Sequence, residues 1–438
     1  MRKIKLGMLG GGTVGSGVYH ALTKNSAIFQ KRTGCALEIV KIAVKQIREP
    51  RPYHIPENLL TTDWKEVVHN PEVQIVTELV GGTTVAREMV LTALELRKPV
   101  VTANKALLAT YGAELFEAAE EYNTPIFFEA SVAGGIPVIK AIREGFVINR
   151  FNEIYGIVNG TCNYILTRMS QDGLELENAL KIAQKLGYAE ADPGLDINGI
   201  EAMHKICILA SLAAGAWVNP NQIHVEGIQT VTHKDIQYAK RLGYTIKLLA
   251  VAKAGDENGQ LAYQVAVYPA LIPQNHLLAH VNDVYNAVCV NGDIVGSTLF
   301  YGRGAGKDAT ASAVISDIAD AAKYVLTPGL PYQNPFGIHQ NARIIPIGKT
   351  CSKFYVRFTV EDKPGVLAKI ATILGNAGIS ISAVIQDPDQ PPKGIVPVIL
   401  TTHHAPYQAM VTALTKIAKL PVVKAKPVMF RIETISNA

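Results

Sequence analysis

Ile4-Lys5-Leu6-Gly7-Met8-Leu9-Gly10-Gly11-Gly12-Thr13-Val14-Gly15 is the stretch whose reading decides the fold. A short apolar run, Ile4 to Leu9, leads into a G-x-G-x-x-G pattern made by Gly10, Gly12 and Gly15, and Val14 to Thr23 then takes helical spacing. The first glycine permits a tight turn, the second lets backbone approach a pyrophosphate, and the third lets helix pack closely on strand. The helix N-terminus at Thr13 and Val14 offers N–H donors to an anion. Alone the motif is weak, since glycine-rich turns abound. Between a predicted strand and a predicted helix it predicts a dinucleotide site.

The residues beyond it keep the same alternation. Ala36–Val44, Val73–Leu79, Val100–Ala103 and Ile126–Glu129 read as strands, and Val85–Leu96 and Glu114–Tyr122 as helices. This spacing predicts a Rossmann-like parallel sheet with helices on its faces, an α/β domain over residues 1–135. The second strand ends Ala43-Val44-Lys45-Gln46, without an acid, and Arg48 and Arg51 follow. An acid there would hold a free ribose 2′-OH; Val44 and Lys45 with nearby arginines favour a 2′-phosphate, hence NADP ahead of NAD. Ordinary surface charge is the competing reading.

After about Gly135 the pattern changes. Glu175–Leu186 and Ile200–Gly215 read as long helices, followed by strand-like runs at Ile246–Val251, Leu261–Tyr268, Val284–Val290 and Asp293–Leu299. Asn291-Gly292 reads as a tight hairpin turn. Residues 136–326 thus read as an α+β domain with an antiparallel component, ending in a helix at Ala309–Val325. Proline and glycine mark residues 327–349 as a linker. Residues 350–438 run strand, helix, strand, strand, helix, strand (Phe354–Val360, Val366–Asn376, Ile379–Gln386, Ile395–Thr401, Tyr407–Ala418, Val428–Ile432), the βαββαβ order of a ferredoxin-like module.

Composition narrows the function classes. At ~150 residues per domain, 438 residues suggest two or three domains. Net charge is +5 with no basic run, which argues against a nucleic-acid partner. Five widely separated cysteines form no metal or disulfide pattern. The longest apolar stretch, Ile206 to Val218, falls short of the ~20 residues needed to span a bilayer. A cytoplasmic protein without a membrane partner is expected.

Three polar stretches fall where the pattern predicts a cleft. Thr102-Ala103-Asn104-Lys105 ends a predicted parallel strand, the edge where open α/β sheets bind ligands. Glu129-Ala130-Ser131-Val132-Ala133-Gly134-Gly135-Ile136-Pro137 would expose carbonyls beside a carboxylate, a donor set for a hard cation; a simple inter-domain turn explains it equally well. Gly187 to Gly199 is acidic and leads into a helix bearing Glu201 and Lys205. That helix is apolar almost all round, so the pair is expected to face an internal cleft rather than water. A lysine there could move a proton, and Glu190, Asp196 and Glu201 could receive an ammonium group.

Taken together, the glycine turn, T-A-N-K-A, E-A-S-V-A-G-G-I-P, N-G-T-C-N-Y-I-L and G-Y-A-E-A-D-P-G-L-D-I-N-G-I-E-A-M-H-K resemble homoserine dehydrogenase over essentially the whole chain. The module containing Asp362-Lys363-Pro364-Gly365-Val366-Leu367 is similar to an ACT domain. The resemblance implies reversible NAD(P)-dependent interconversion of L-aspartate 4-semialdehyde and L-homoserine, in threonine, methionine and isoleucine synthesis. It implies Lys205 as acid/base, Lys105 at the reacting centre against cofactor and substrate, and Glu190, with Thr161, Asp196 and Glu201, as substrate residues. Gly187 and Gly302 would approach the cofactor, and a structural sodium would rest on Glu129 and the carbonyls of Val132, Gly134 and Ile136. The resemblance also makes residues 136–326 a substrate and dimerisation domain whose last helix returns to the nucleotide domain. Two positions depart from the family's pattern: Glu201 replaces an aspartate, and Cys162 a threonine.

Two other functions compete. A thiol-dependent semialdehyde dehydrogenase would use Cys162 as nucleophile, but no histidine lies within 30 residues of it. A non-catalytic amino-acid sensor would use only the C-terminal module. That module also leads us to expect homo-oligomerisation (dimer or tetramer), threonine as effector, and catalysis that survives deletion of residues 350–438.

Overall fold

β-branched and apolar runs build the first sheet of the computed structural model, which describes residues 2–327, 329, 331–336, 341–387 and 394–435. The chain forms two units. One comprises residues 1–158, 201–221 and 285–343; the other comprises 159–200, 222–284 and 344–438.

In the first unit, β1 (Arg2–Leu9), β2 (Cys35–Ala43), β3 (Leu60–Thr61), β4 (Ile75–Glu78), β5 (Val100–Thr102) and β6 (Ile126–Phe127) pair in parallel, in the order β3-β2-β1-β4-β5-β6. The order reverses between β1 and β4, which is where such sheets open a crevice beyond the strand ends. Ile4, Leu6 and Met8 are buried in one core with Val18 of the helix Thr13–Lys24. Ala311, Val314 and Ile318 of the helix Lys307–Leu326 complete that core. At Gly17 a Cβ would stand 2.7 Å from the Lys307 carbonyl, so the two helices meet backbone to backbone.

The same unit holds three antiparallel strands, Gly296–Arg303, Tyr285–Gly292 and Phe151–Ile157, in that order. The hairpin turn does not fall at Asn291-Gly292: Gly292 pairs with Gly296, and Asp293–Val295 make the loop. Asn149 moves it along, its side-chain oxygen accepting from the amides of Val295 (2.8 Å) and Ile294 (3.3 Å).

In the second unit, Tyr244–Glu257 and Gln260–Pro273 form a long antiparallel hairpin. Its two-residue turn is Asn258-Gly259, at φ +58° and +78°, the left-handed pair such a turn requires. The C-terminal module shows the expected βαββαβ order, its strands lying Val423–Ile432, Cys351–Glu361, Ile395–Thr402, Ile381–Ile385 across the sheet. Phe354, Val356, Ile370, Leu374, Met410 and Ile417 form its core. Its last strand also pairs in parallel with Gln260–Pro273, and Arg357 and Tyr355 bond to the fully buried Asp235 (2.6 and 3.0 Å) of the helix His233–Arg241. Of the stretch read as a linker, residues 328, 330 and 337–340 lie outside the described residues. Among the described residues no helix is long and apolar enough to cross a membrane.

Candidate active site

The glycine turn has the geometry its sequence demands. Gly10 adopts φ +104°, and its amide donates to the Ala43 carbonyl at 2.8 Å. A Cβ on Gly15 would lie 2.0 Å from the Gly10 carbonyl oxygen, whereas one on Gly12 would meet nothing within 4 Å. Gly12 and Thr13 are exposed, and the helix starting at Thr13 has neither a side-chain cap nor an acid in its first turn. Uncapped amides beside an open glycine fit a pyrophosphate. At the end of β2, Val44 is buried while Lys45 and Arg48 are exposed. Arg51 plays a different part, donating to the carbonyls of Gln46, Ile47 and Glu49 at 2.6 to 2.9 Å and so building the loop itself.

Beyond β5 the helix Lys105–Glu121 begins well before Glu114, where the spacing placed it. Asn104 is its N-cap, the side-chain oxygen accepting from Leu107 N at 3.0 Å. Lys105 therefore sits on the first turn of a helix and not in a loop. Its Nζ is 3.0 Å from Glu201 Oε1. Lys205, one turn after Glu201 on the helix Ile200–Ala214, is 8% exposed and donates to the Val158 carbonyl at 2.5 Å. Glu201 thus binds Lys105 and not its own i+4 neighbour, and all three residues belong to one unit. Burial pushes the Glu201 carboxyl up, but the charges of Lys105 and Lys205 outweigh it and hold the group below its ordinary value. His204, between Glu201 and Lys205 on the same helix, is pushed down by burial and by Lys105, which favours neutral imidazole.

Glu78, at the end of β4, was not singled out in the sequence. It is fully buried, and its carboxyl accepts from Thr102 Oγ1 (2.7 Å), Val80 N (3.0 Å), Gly81 N (3.3 Å) and Asn104 Nδ2 (3.4 Å). It thereby ties β4 to β5 and to the cap of the Lys105 helix. Burial raises its pKa against these bonds. An acid closing the buried run Ile75-Val76-Thr77 was the available signal.

In the turn after β6, Glu129 is 2% exposed and accepts from the amides of Ile139 (2.9 Å) and Lys140 (2.7 Å). Ala133 and Gly134 both have left-handed φ, +55° and +54°, and the Ile136 carbonyl accepts from Val138 N at 2.8 Å. Gly302 lies against this turn, since a Cβ there would approach Ile136 Cγ1 to 3.1 Å.

The second unit carries the other candidates. Thr161 Oγ1 donates to the Tyr188 carbonyl at 2.7 Å, Gly187 is exposed with φ +74°, and Glu190 is exposed. Asp196 Oδ1 accepts from Asn159 Nδ2 at 2.7 Å. The Cys162 thiol is fully buried and donates to the Asp196 carbonyl at 3.3 Å, an environment that suits a structural thiol better than a nucleophile.

Comparison with known proteins identifies the family. The homoserine dehydrogenase family model matches residues 137–319, its NAD-binding domain matches residues 10–129, and the ACT domain matches residues 354–419. A homoserine dehydrogenase from Pseudomonas aeruginosa is 44% identical over all of both chains. The crystal structure of a homoserine dehydrogenase from Thiobacillus denitrificans superposes with a TM-score of 0.92 at 41% identity, covering 99% of each chain. A hyperthermophilic archaeal homoserine dehydrogenase in complex with NADPH matches 73% of this chain and 98% of its own, with a TM-score of 0.60 at 27% identity. With catalytic, nucleotide and ACT segments all matched, the chain belongs to the homoserine dehydrogenase family of NAD(P)-dependent oxidoreductases.

Proposed function

We propose that this chain interconverts L-homoserine and L-aspartate 4-semialdehyde, with NADP preferred over NAD. The observation that carries this reading is Glu201, bonded to Lys105 and one helical turn from the buried Lys205. Gly10, Gly12, Thr13, Val14 and Gly15 would hold the pyrophosphate, and Val44 and Lys45 the adenosine ribose; Gly187 and Gly302 would border the cofactor. Bound NAD(P) supplies or accepts the hydride at the substrate's terminal carbon. Lys205 moves the proton at the alcohol oxygen, its position fixed by the Val158 carbonyl. Lys105, held by Glu201, stabilises the charge that develops on that oxygen. Glu190 and Asp196 receive the substrate ammonium, and Thr161 braces their segment through Tyr188.

Oxidation of L-homoserine followed by nucleotide absorbance tests this directly. Lys105→Ala and Lys205→Ala should each lower kcat by about 10² or more with the fold intact. Turnover near wild type in either variant removes that lysine from the mechanism.

The reading extends to a sodium ion at the turn after β6. Glu129 uses two acceptor sites on amides and retains others, the pair Ala133-Gly134 is left-handed, and the Ile136 carbonyl keeps a lone pair beyond its bond from Val138 N; the carbonyls of Val132, Gly134 and Ile136 would complete the donor set. This donor set fits a hard cation, and thermal stability in sodium against tetramethylammonium salts would detect it. The ACT domain supports threonine as effector and a homo-oligomeric chain, in a cytoplasmic pathway to threonine, methionine and isoleucine. Inhibition titrations with threonine, and light scattering of the full chain, test these two points.

A further inference from the structure

The second unit contains a charge cluster, built around one buried arginine, with no part in the scheme above. Arg431, on the last strand, is 1% exposed and lies between two phenol rings, 4.2 Å from the Tyr268 centroid and 4.5 Å from that of Tyr407. Nη1 donates to Glu226 Oε1 at 3.2 Å, and among the described residues Nε and Nη2 have no acceptor. The same carboxylate oxygen accepts from His224 Nε2 at 2.5 Å and from the Tyr407 hydroxyl at 3.4 Å. An arginine stripped of water and given one acceptor adds little net stability. What it does add is a fixed place for Glu226.

Glu226 belongs to a backbone segment with no slack. Its amide donates to the Val267 carbonyl at 2.7 Å. A Cβ on Gly227 would fall 2.0 Å from the Ile197 carbonyl oxygen and 2.7 Å from Asn198 Cα, and Ile228 N donates to that same Ile197 carbonyl at 2.9 Å. From the other side Gly199, at φ +83°, would place a Cβ 3.1 Å from both Val225 Cγ1 and Val267 Cγ1. The turn Gly194–Gly199 therefore sits backbone to backbone on residues 225–228. That turn carries Asp196 with its bonds to Asn159 and Cys162.

We infer that Arg431 and Glu226 are positioning residues for the substrate turn: the guanidinium at the end of the C-terminal module fixes Glu226, and residues 226–228 set the placement of Asp196. The inference rests on reading Asp196 as a substrate residue. It makes the C-terminal strand part of what determines substrate affinity, with no effector bound.

The test uses the full chain, with kcat and both KM values measured for Glu226→Gln, Arg431→Met, Arg431→Lys and Gly227→Ala. Losing one charge-assisted hydrogen bond should raise the homoserine KM roughly 5-fold or more, while kcat and the NADP KM stay within about 2-fold. Arg431→Lys should recover part of the loss. Gly227→Ala, which pushes directly on Ile197, should give the same split. If Arg431→Met does not fold, Glu226→Gln, which keeps the volume, decides by the same criterion. An unchanged homoserine KM in folded Glu226→Gln, or an NADP KM rising in step, overturns the inference. A wild-type chain that oxidises no homoserine overturns the proposed function and this inference with it; an active wild type with unaffected variants overturns the positioning role alone.

Discussion

Two alanine substitutions in the glycine turn should fail in opposite ways. In Gly15→Ala the new methyl stands 2.0 Å from the Gly10 carbonyl oxygen, a distance that a Cβ contact almost never shows, so backbone has to give by about 1 Å. Overpacking of this kind costs ~1–3 kcal/mol, and a backbone obstacle belongs at the upper end. For a unit of this size that lowers the melting temperature by roughly 6–12 °C. Gly12→Ala meets nothing within 4 Å and keeps an ordinary φ of −72°, so the melting temperature should hardly move. On the proposed cofactor reading its methyl would instead occupy the space that a pyrophosphate needs. Loss of one amide bond to that anion weakens NADPH binding about 10- to 100-fold. Thermal melts with fluorescence titration of NADPH read both effects. Wild-type NADPH affinity in Gly12→Ala would refute the anion cradle, and a wild-type melt in Gly15→Ala would refute the packing argument.

Other tests bear on other parts of the chain. Lys45→Ala and Arg48→Ala should raise the NADP KM on the order of 5-fold while sparing NAD. Arg51→Ala, which unties the loop, should weaken both cofactors alike; selective loss of NADP there would reassign the 2′-phosphate contact. Burial holds Lys247 down to about 8 against the pull of Asp283, whereas an unfolded lysine titrates at 10.5. Between those values the unfolded chain binds the extra proton, so this group adds stability as pH rises through the window. Relative to Lys247→Met, wild type should gain in melting temperature from about pH 7.5 to about pH 9.5, and a constant difference would refute it. Finally, Arg357→Met leaves Asp235, 0% exposed, without its charge partner, a loss of ~3–5 kcal/mol by melting. Deleting residues 350–438 removes that partner and the strand beside Gln260–Pro273 together, so the truncated chain should be unstable rather than merely deregulated.

Local patterns carried most of the fold and only part of the site. The glycine turn was legible because each glycine answers a steric need visible in sequence. Asn-Gly was not: the dipeptide makes the turn at 258–259 yet lies inside a strand at 291–292, where Asn149, distant in sequence, supplies the turn's hydrogen bonds. The start of the Lys105 helix was written in its Asn104 cap but masked by the adjoining strand. The Glu201–Lys105 pairing has no local signal, because its members come from segments about a hundred residues apart; a strand end marks Lys105 and an all-round apolar helix marks Glu201, but neither pattern says that the two meet.

The first unit is assembled from three separate pieces of chain, and this sets a schedule during synthesis. β6 ends at Phe127, but the helix that covers the Ile4 and Leu6 core ends only at Leu326. At ribosomal rates of ~5–20 residues per second, the nascent sheet waits roughly 10–40 s with that greasy face bare. A holdase or an early-bound nucleotide would find its target in that interval.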